Sequence, residues 1–301
     1  MMRANAAMMC LGILLAAAGA SAQSNAPNQV VSSTQAVGAQ TSPDFSAVYC
    51  AGFVTDEQSQ NNDVRLISGE QSNSKLVFAR GDYVYLNKGS NQGIRVGDRF
   101  YAIRQETDPV QANWFKWQEK LLKAMGTVYA DTGQLVVINV QPNVSTAQIT
   151  FTCNYMQRGD ILKPMQDRPS PPYKPAEKFD HFAPVSGKPV GMLVTGEGFT
   201  NAYGQNSIVY VNLGTSQGVK VGDYFRIFRY QGSHAETVPY TPDYQYKILG
   251  FGSTPQKYEW NDLPREVLGE GIVIFTGRNS ATMFVTHTSI DIYAGDYVEI
   301  E

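Results

Sequence analysis

Apolar and polar residues alternate along most of the chain in short runs, broken by glycine, asparagine and aspartate. A period of two predicts half-buried β-strands. The clearest run occurs twice. Residues 84–104 read Val-Tyr-Leu-Asn-Lys-Gly-Ser-Asn-Gln-Gly-Ile-Arg-Val-Gly-Asp-Arg-Phe-Tyr-Ala-Ile-Arg. Residues 209–229 repeat them 125 positions later, identical at 11 of 21 positions. Each copy predicts strand, tight loop, short extended run, turn, strand. The glycines (Gly89, Gly93 and Gly97; Gly214, Gly218 and Gly222) supply turn conformations. Asp98 and Asp223 follow, each with a carboxylate able to accept from a nearby backbone N–H. A phosphate-cradling loop would need a helix after the glycines. No helical pattern follows either copy, so these are turn glycines.

The repeat extends both ways. Residues 64–70 predict a strand whose Ile-Ser-Gly-Glu ending returns as Val-Thr-Gly-Glu at 194–197. Downstream, 126–140 and 269–276 read as strands, each leading to an alanine-centred strand at 146–151 and 280–285. Both units close on a second turn, Gly159-Asp160 and Gly295-Asp296. Residues 47–54 predict a first strand kinked at Gly52. So many short strands predict closure, which hides sheet edges. The expected fold is all-β with short helical insertions: two tandem small β-barrel-like domains, 44–163 and 190–301. Between them, 164–189 holds seven of the chain's 15 prolines and reads as an extended, semi-stiff connector. Its Tyr173, Phe179 and Phe182 are apolar enough to pack in part.

The period changes in one insertion per domain. Trp114, Trp117, Leu121, Leu122 and Met125 share one helical face, with Lys116, Glu119, Lys120 and Lys123 on the other, predicting an amphipathic helix. The matching insertion, 230–268, carries Tyr230, Tyr240, Tyr244, Tyr246, Tyr258 and Trp260, and 261–266 resembles a helix start. Apolar helical faces usually belong to cores, so the insertions are expected to cap their own barrels. The rival reading makes Trp114, Trp117, Tyr246, Tyr258 and Trp260 a partner surface or sugar platform.

Residues 1–22 read as a signal peptide: Arg3, an apolar run at 6–18, and Ala-Ser-Ala at 20–22. Cys10 lies inside the apolar run, not after it, which excludes a lipoprotein. Residues 23–43 are too polar to order themselves and read as a disordered tail. No later stretch predicts a transmembrane segment, so the mature chain is expected to be exported, periplasmic or extracellular. Without Arg3 it carries 23 basic against 27 acidic residues, and no basic patch suits nucleic acid. In an oxidising compartment the remaining pair, Cys50 and Cys153, predicts a disulfide. Free buried thiols are the alternative.

Catalytic patterns are missing. His181, His234 and His287 lack a neighbouring nucleophile or metal-ligand spacing. Asp98, Asp160, Asp223 and Asp296 occupy equivalent turns, which argues for structure over paired-carboxylate chemistry. The expectation is a non-enzyme without catalytic residues, metal or cofactor.

The stretch at 209–229 resembles the core motif of the C-terminal domain of flagellar assembly protein T, and its Asn-x-Gly-x-x-x-Gly-Val-x-x-Gly-Asp pattern is similar to the barrels of the cell-shape protein MreC. The whole chain resembles secreted acidobacterial proteins with the same two-repeat layout. The resemblance is specific over 21 residues in each copy. It implies an envelope protein, structural or protein-binding, acting through a partner protein or self-association. Peptidoglycan or glycan binding through the aromatic insertions is the alternative. Lys88, where the second copy has Leu213, departs from the pattern in an exposed loop.

Overall fold

A computed structural model describes residues 41–57, 63–109, 113–175, 178–231 and 263–301. The first part of the chain holds α1 (Phe45–Tyr49), β1 (Phe53–Thr55), β2 (Val64–Gly69), β3 (Val77–Phe78), β4 (Tyr83–Leu86) and β5 (Arg99–Gln105). There follow α2 (Gln118–Met125), β6 (Thr127–Val140), β7 (Ser145–Thr152), β8 (Met156–Gln157) and β9 (Ile161–Pro164). The second part holds β10 (Val190–Gly196), β11 (Ala202–Tyr203), β12 (Ile208–Val211), β13 (Tyr224–Arg229), β14 (Glu266–Thr276), β15 (Ala281–Thr288), β16 (Ile292–Tyr293) and β17 (Tyr297–Ile300).

The chain is all-β with two closed six-stranded barrels. The first runs β2-β4-β7-β6-β5-β9 and back to β2, with β1 added to β6. The second runs β10-β12-β15-β14-β13-β17 and back to β10. The orders match strand for strand, so the sequence repeat is a repeat of topology. The small ladders β3–β8 and β11–β16 match as well. Alternation sets the faces. In β4, Val84 and Leu86 point into the barrel core while Tyr83 and Tyr85 face out. Val209, Val211, Phe225, Ile227 and Val298 fill the second interior.

Four details differ from the sequence expectation. Residues 45–49 form a helix instead of the start of a strand, because the Asp44 side chain caps it, accepting from Ala47 N at 2.6 Å. The strand begins only at Phe53, past Gly52 at φ +62°. Residues 94–96 are not a strand; buried Ile94 packs there between two turns. The alanine-centred strands pair two residues out of step. Ala147 faces Val84, whereas Met283 faces the equivalent Val209. A shift of two keeps the same face inward.

Fourth, the connector is held by a charged pair as well as by aromatics expected to pack in part. Arg168 makes a bidentate pair with buried Asp131 of β6 at 2.6 and 2.7 Å, with the rings of Tyr101 and of Phe275 from the second barrel both within 6 Å. Tyr173 stacks on Phe284, and Phe179 packs on Phe228 and Val267. Phe182 alone of the three aromatics is exposed.

Between the barrels lies β1. One edge pairs with the start of β6. Along the other, three hydroxyls of the second barrel donate to its carbonyls: Tyr210 to Ala51 (2.8 Å), Thr282 to Gly52 (3.2 Å) and Ser280 to Val54 (2.5 Å). Gly52 has no room for a side chain: a Cβ there would lie 2.6 Å from the Tyr210 hydroxyl and 2.7 Å from the Tyr129 carbonyl. Around this seam one buried cluster joins Ala51, Val54, Met125 and Val128 to Val194, Ile208, Tyr210 and Phe284. Residues 40–301 therefore form one compact unit.

Candidate functional site

The four Gly-Asp turns are built alike. Each carboxylate accepts from the backbone N–H three residues back: Asp98 from Arg95, Asp223 from Lys220 and Asp296 from Tyr293 at 2.8 Å, and Asp160 from Gln157 at 2.9 Å. Gly97 and Gly222 precede two of them at φ +93° and +96°, where a side chain is strained. Gly89 and Gly214 serve close approach instead, since a Cβ would meet backbone at 2.0 Å and 2.5 Å. Gly93, Gly159, Gly218 and Gly295 close the remaining turns. Asp160 and Asp296 do more. Each is buried and holds a two-pronged pair, with Arg104 at 2.8 and 2.9 Å and with Arg229 at 2.7 and 2.8 Å. These arginines end the two repeat copies, yet nothing in the sequence marked them as partners. Burial pushes the Asp296 carboxyl up against the pull of Arg229.

The insertion of domain one covers the other barrel, not its own. Phe115 is buried in the interior cluster of the second barrel, and Trp114 and Leu121 pack against it. Trp114 stacks on Tyr293, 6.4 Å between ring centres. Buried Gln118 locks the contact: its amide donates to Val194 O (2.8 Å) and Asn201 Oδ1 (3.1 Å), and its oxygen accepts from Trp114 N (2.5 Å). The helix starts at Gln118, so Trp117 is its cap and not a member of its apolar face. Trp117 is 54% exposed, which corrects its expected place in a core. Phe115 takes that place.

Trp117 presents its ring to solvent with Lys116 and Lys120 over it, 5.3 and 5.7 Å from the centroid. A cleft of about 660 Å³ lies between the end of β5, α2 and the 197–199 turn; Trp117 does not line it. Glu106, Gln118, Glu119 and Lys123 line it. Burial pushes the Glu106 carboxyl up, opposed by the Arg104 charge. Glu197 is pushed up by burial and by the negative charges of Glu106 and Asp131. Glu119 is held low by its hydrogen bond and ion pair with Lys123. The arrangement offers one exposed ring, two lysines over it, and a polar cleft against the helix that follows.

The chain matches no protein-family model and no curated protein.

Cys50 and Cys153 form a disulfide, with their Cα atoms 5.4 Å apart. Cys50 closes α1 instead of lying in a strand. Tyr246, Tyr258 and Trp260, the expected helix start at 261–266 up to Asp262, and His234 lie outside the described residues, as do the signal peptide and most of the tail. Among the described residues, no helix is long and apolar enough to cross a membrane.

Proposed function

We propose that this chain is a non-enzymatic exported envelope protein that binds another envelope protein through the face around Trp117. The observation that carries the reading is the Trp117 ring, exposed at the start of a helix that Gln118 locks to the second barrel. Tryptophan is enriched among interface hot spots, and backbone already ordered on a fused two-barrel body lowers the ordering cost of binding there. The filled barrel interiors and the turn roles of the repeated aspartates support a scaffold over a reaction centre. The disulfide supports an oxidising compartment. The resemblance of both repeats to flagellar assembly protein T and MreC points the same way.

A second reading is favoured by the same ring: a sugar platform on peptidoglycan, with the lysines facing wall carboxylates. One experiment separates the two. The intact protein and Trp117→Ala are compared for sedimentation with purified peptidoglycan and for photocrosslinking, from a probe at Lys120, in the envelope fraction. A Trp117-dependent crosslink to one protein supports the first reading, and Trp117-dependent sedimentation the second. Loss of neither signal in Trp117→Ala overturns both.

A further inference from the structure

We propose that the outer face of the first barrel around Tyr85 receives a second copy of this chain, head to tail. The argument comes from the seam between the barrels, which the repeat predicts twice but the single chain fills once.

On the second barrel the seam is held by two neighbouring hydroxyls, Tyr210 and Thr282, directly opposite one another across β12 and β15. The first barrel has the same pair at the same register, Tyr85 opposite Thr146 across β4 and β7. The strand on the other side agrees: Thr195 faces Tyr210 as Ser68 faces Tyr85. Tyr210 and Thr282 are buried and bind the carbonyls of Ala51 and Gly52. The side-chain hydroxyls of Tyr85 and Thr146 have no hydrogen-bond partner among the described residues. Part of the apolar surround is repeated and uncovered; Gln148 stands where the second barrel has Phe284. Val194 and Ile208 are buried in the seam cluster. Their counterparts Ile67 and Tyr83 are 43% and 40% exposed. Only Ser280 lacks a polar counterpart, Val144 holding its place.

The occupant is also marked. On the first barrel, β1 runs past the start of β6 and turns its free edge to the neighbour. On the second barrel the connector also passes the start of β14, held there by one backbone hydrogen bond and an arginine instead of a ladder: Val267 N donates to His181 O at 2.8 Å, and Arg265 reaches the carbonyls of Ala183 and Pro184. This segment ends in two uncovered apolar side chains, Phe182 and Val185, 65% and 68% exposed. The first barrel thus carries an unfilled socket, and the second an uncovered strap to set against it. Such a contact uses two different surfaces and generates rings or open chains. The proposal goes beyond the Trp117 reading and does not depend on it.

The test is sedimentation velocity of the intact protein over a concentration series, with Tyr85→Asp/Ile67→Asp as socket variant and Phe182→Asp/Val185→Asp as strap variant. The wild type is expected to grow beyond a dimer with concentration. Each variant alone is expected to stay monomeric with an unshifted melting temperature. The two variants mixed are expected to stop at a dimer, because only one intact socket and one intact strap remain per pair. Should a variant unfold, Tyr83→Ser or Val185→Ser replaces it. A wild type monomeric at its highest soluble concentration overturns the proposal. So do variants that assemble like the wild type, or a photoprobe at Tyr85 that captures a different protein instead of residues 178–189 of a second copy.

Discussion

The Tyr210 hydroxyl, on the second barrel, donates to the carbonyl of Ala51, at the edge of the first, 2.8 Å away and fully buried. Burial pushes its phenol well above the ordinary range. Tyr210→Phe leaves the carbonyl of Ala51 without this donor at little change in volume, an expected cost of about 1–3 kcal/mol. Urea unfolding measures it. A variant as stable as the wild type would show that the bond carries no weight.

Because the segment around β1 is bound by both barrels, they are expected to unfold together. Gly97→Val and Gly222→Val each force a β-branched residue into positive φ, one in each barrel. Both should lower one shared calorimetric transition. Two transitions, with only one of them moving in each variant, would show that the seam does not couple the barrels.

The insertion predicts opposite outcomes for adjacent aromatics. Phe115→Ala empties a buried site in the second barrel's core and should cost ~3–5 kcal/mol. Trp117→Ala removes an exposed ring and should shift stability by less than about 0.5 kcal/mol. Equal losses would contradict the placement of Trp117 outside.

The disulfide closes a loop of 103 residues. In the chain-entropy model its loss costs up to ~4.7 kcal/mol. Both cysteines lie in the first domain, yet Cys50 directly precedes the residues that the second barrel binds. Cys50→Ser/Cys153→Ser should therefore increase amide exchange in β12 and β15 as well as in β1. Unchanged protection in the second barrel would break that link.

Glu299 gives an acid dependence. Burial pushes its carboxyl up, but hydrogen bonds from Arg265 and Ser186 N and the Arg226 charge outweigh this and hold it below the ordinary range. A lowered folded pKa means stability that is present above the unfolded value and lost as pH falls through the folded one. Wild-type stability should drop more steeply below about pH 4 than that of Glu299→Gln. Parallel curves would remove Glu299 as a cause.

Most strands were legible because their signals are local. Alternation around Val84 and Val209, and glycine at each turn, need only neighbours in sequence. What escaped depends on partners far away. Trp117 looked like core because its spacing to Leu121 is helical, but the helix begins one residue later and hands the buried role to Phe115. Arg104 and Arg229 were visible as repeats without their carboxylates, 56 and 67 residues on. Nothing local told which barrel the insertion would cover.

The hydroxyl of Ser280 meets the carbonyl of Val54 across 226 residues. During synthesis the amino-terminal part emerges first, so β1 must wait, with one edge unpaired, until almost the whole chain has been made. Completion of the junction is thus a late event, and a nascent chain arrested before residue 280 carries a bare strand. Such an exposed edge invites wrong pairing. Once both cysteines are in an oxidising compartment, the disulfide tethers that segment beside its own barrel.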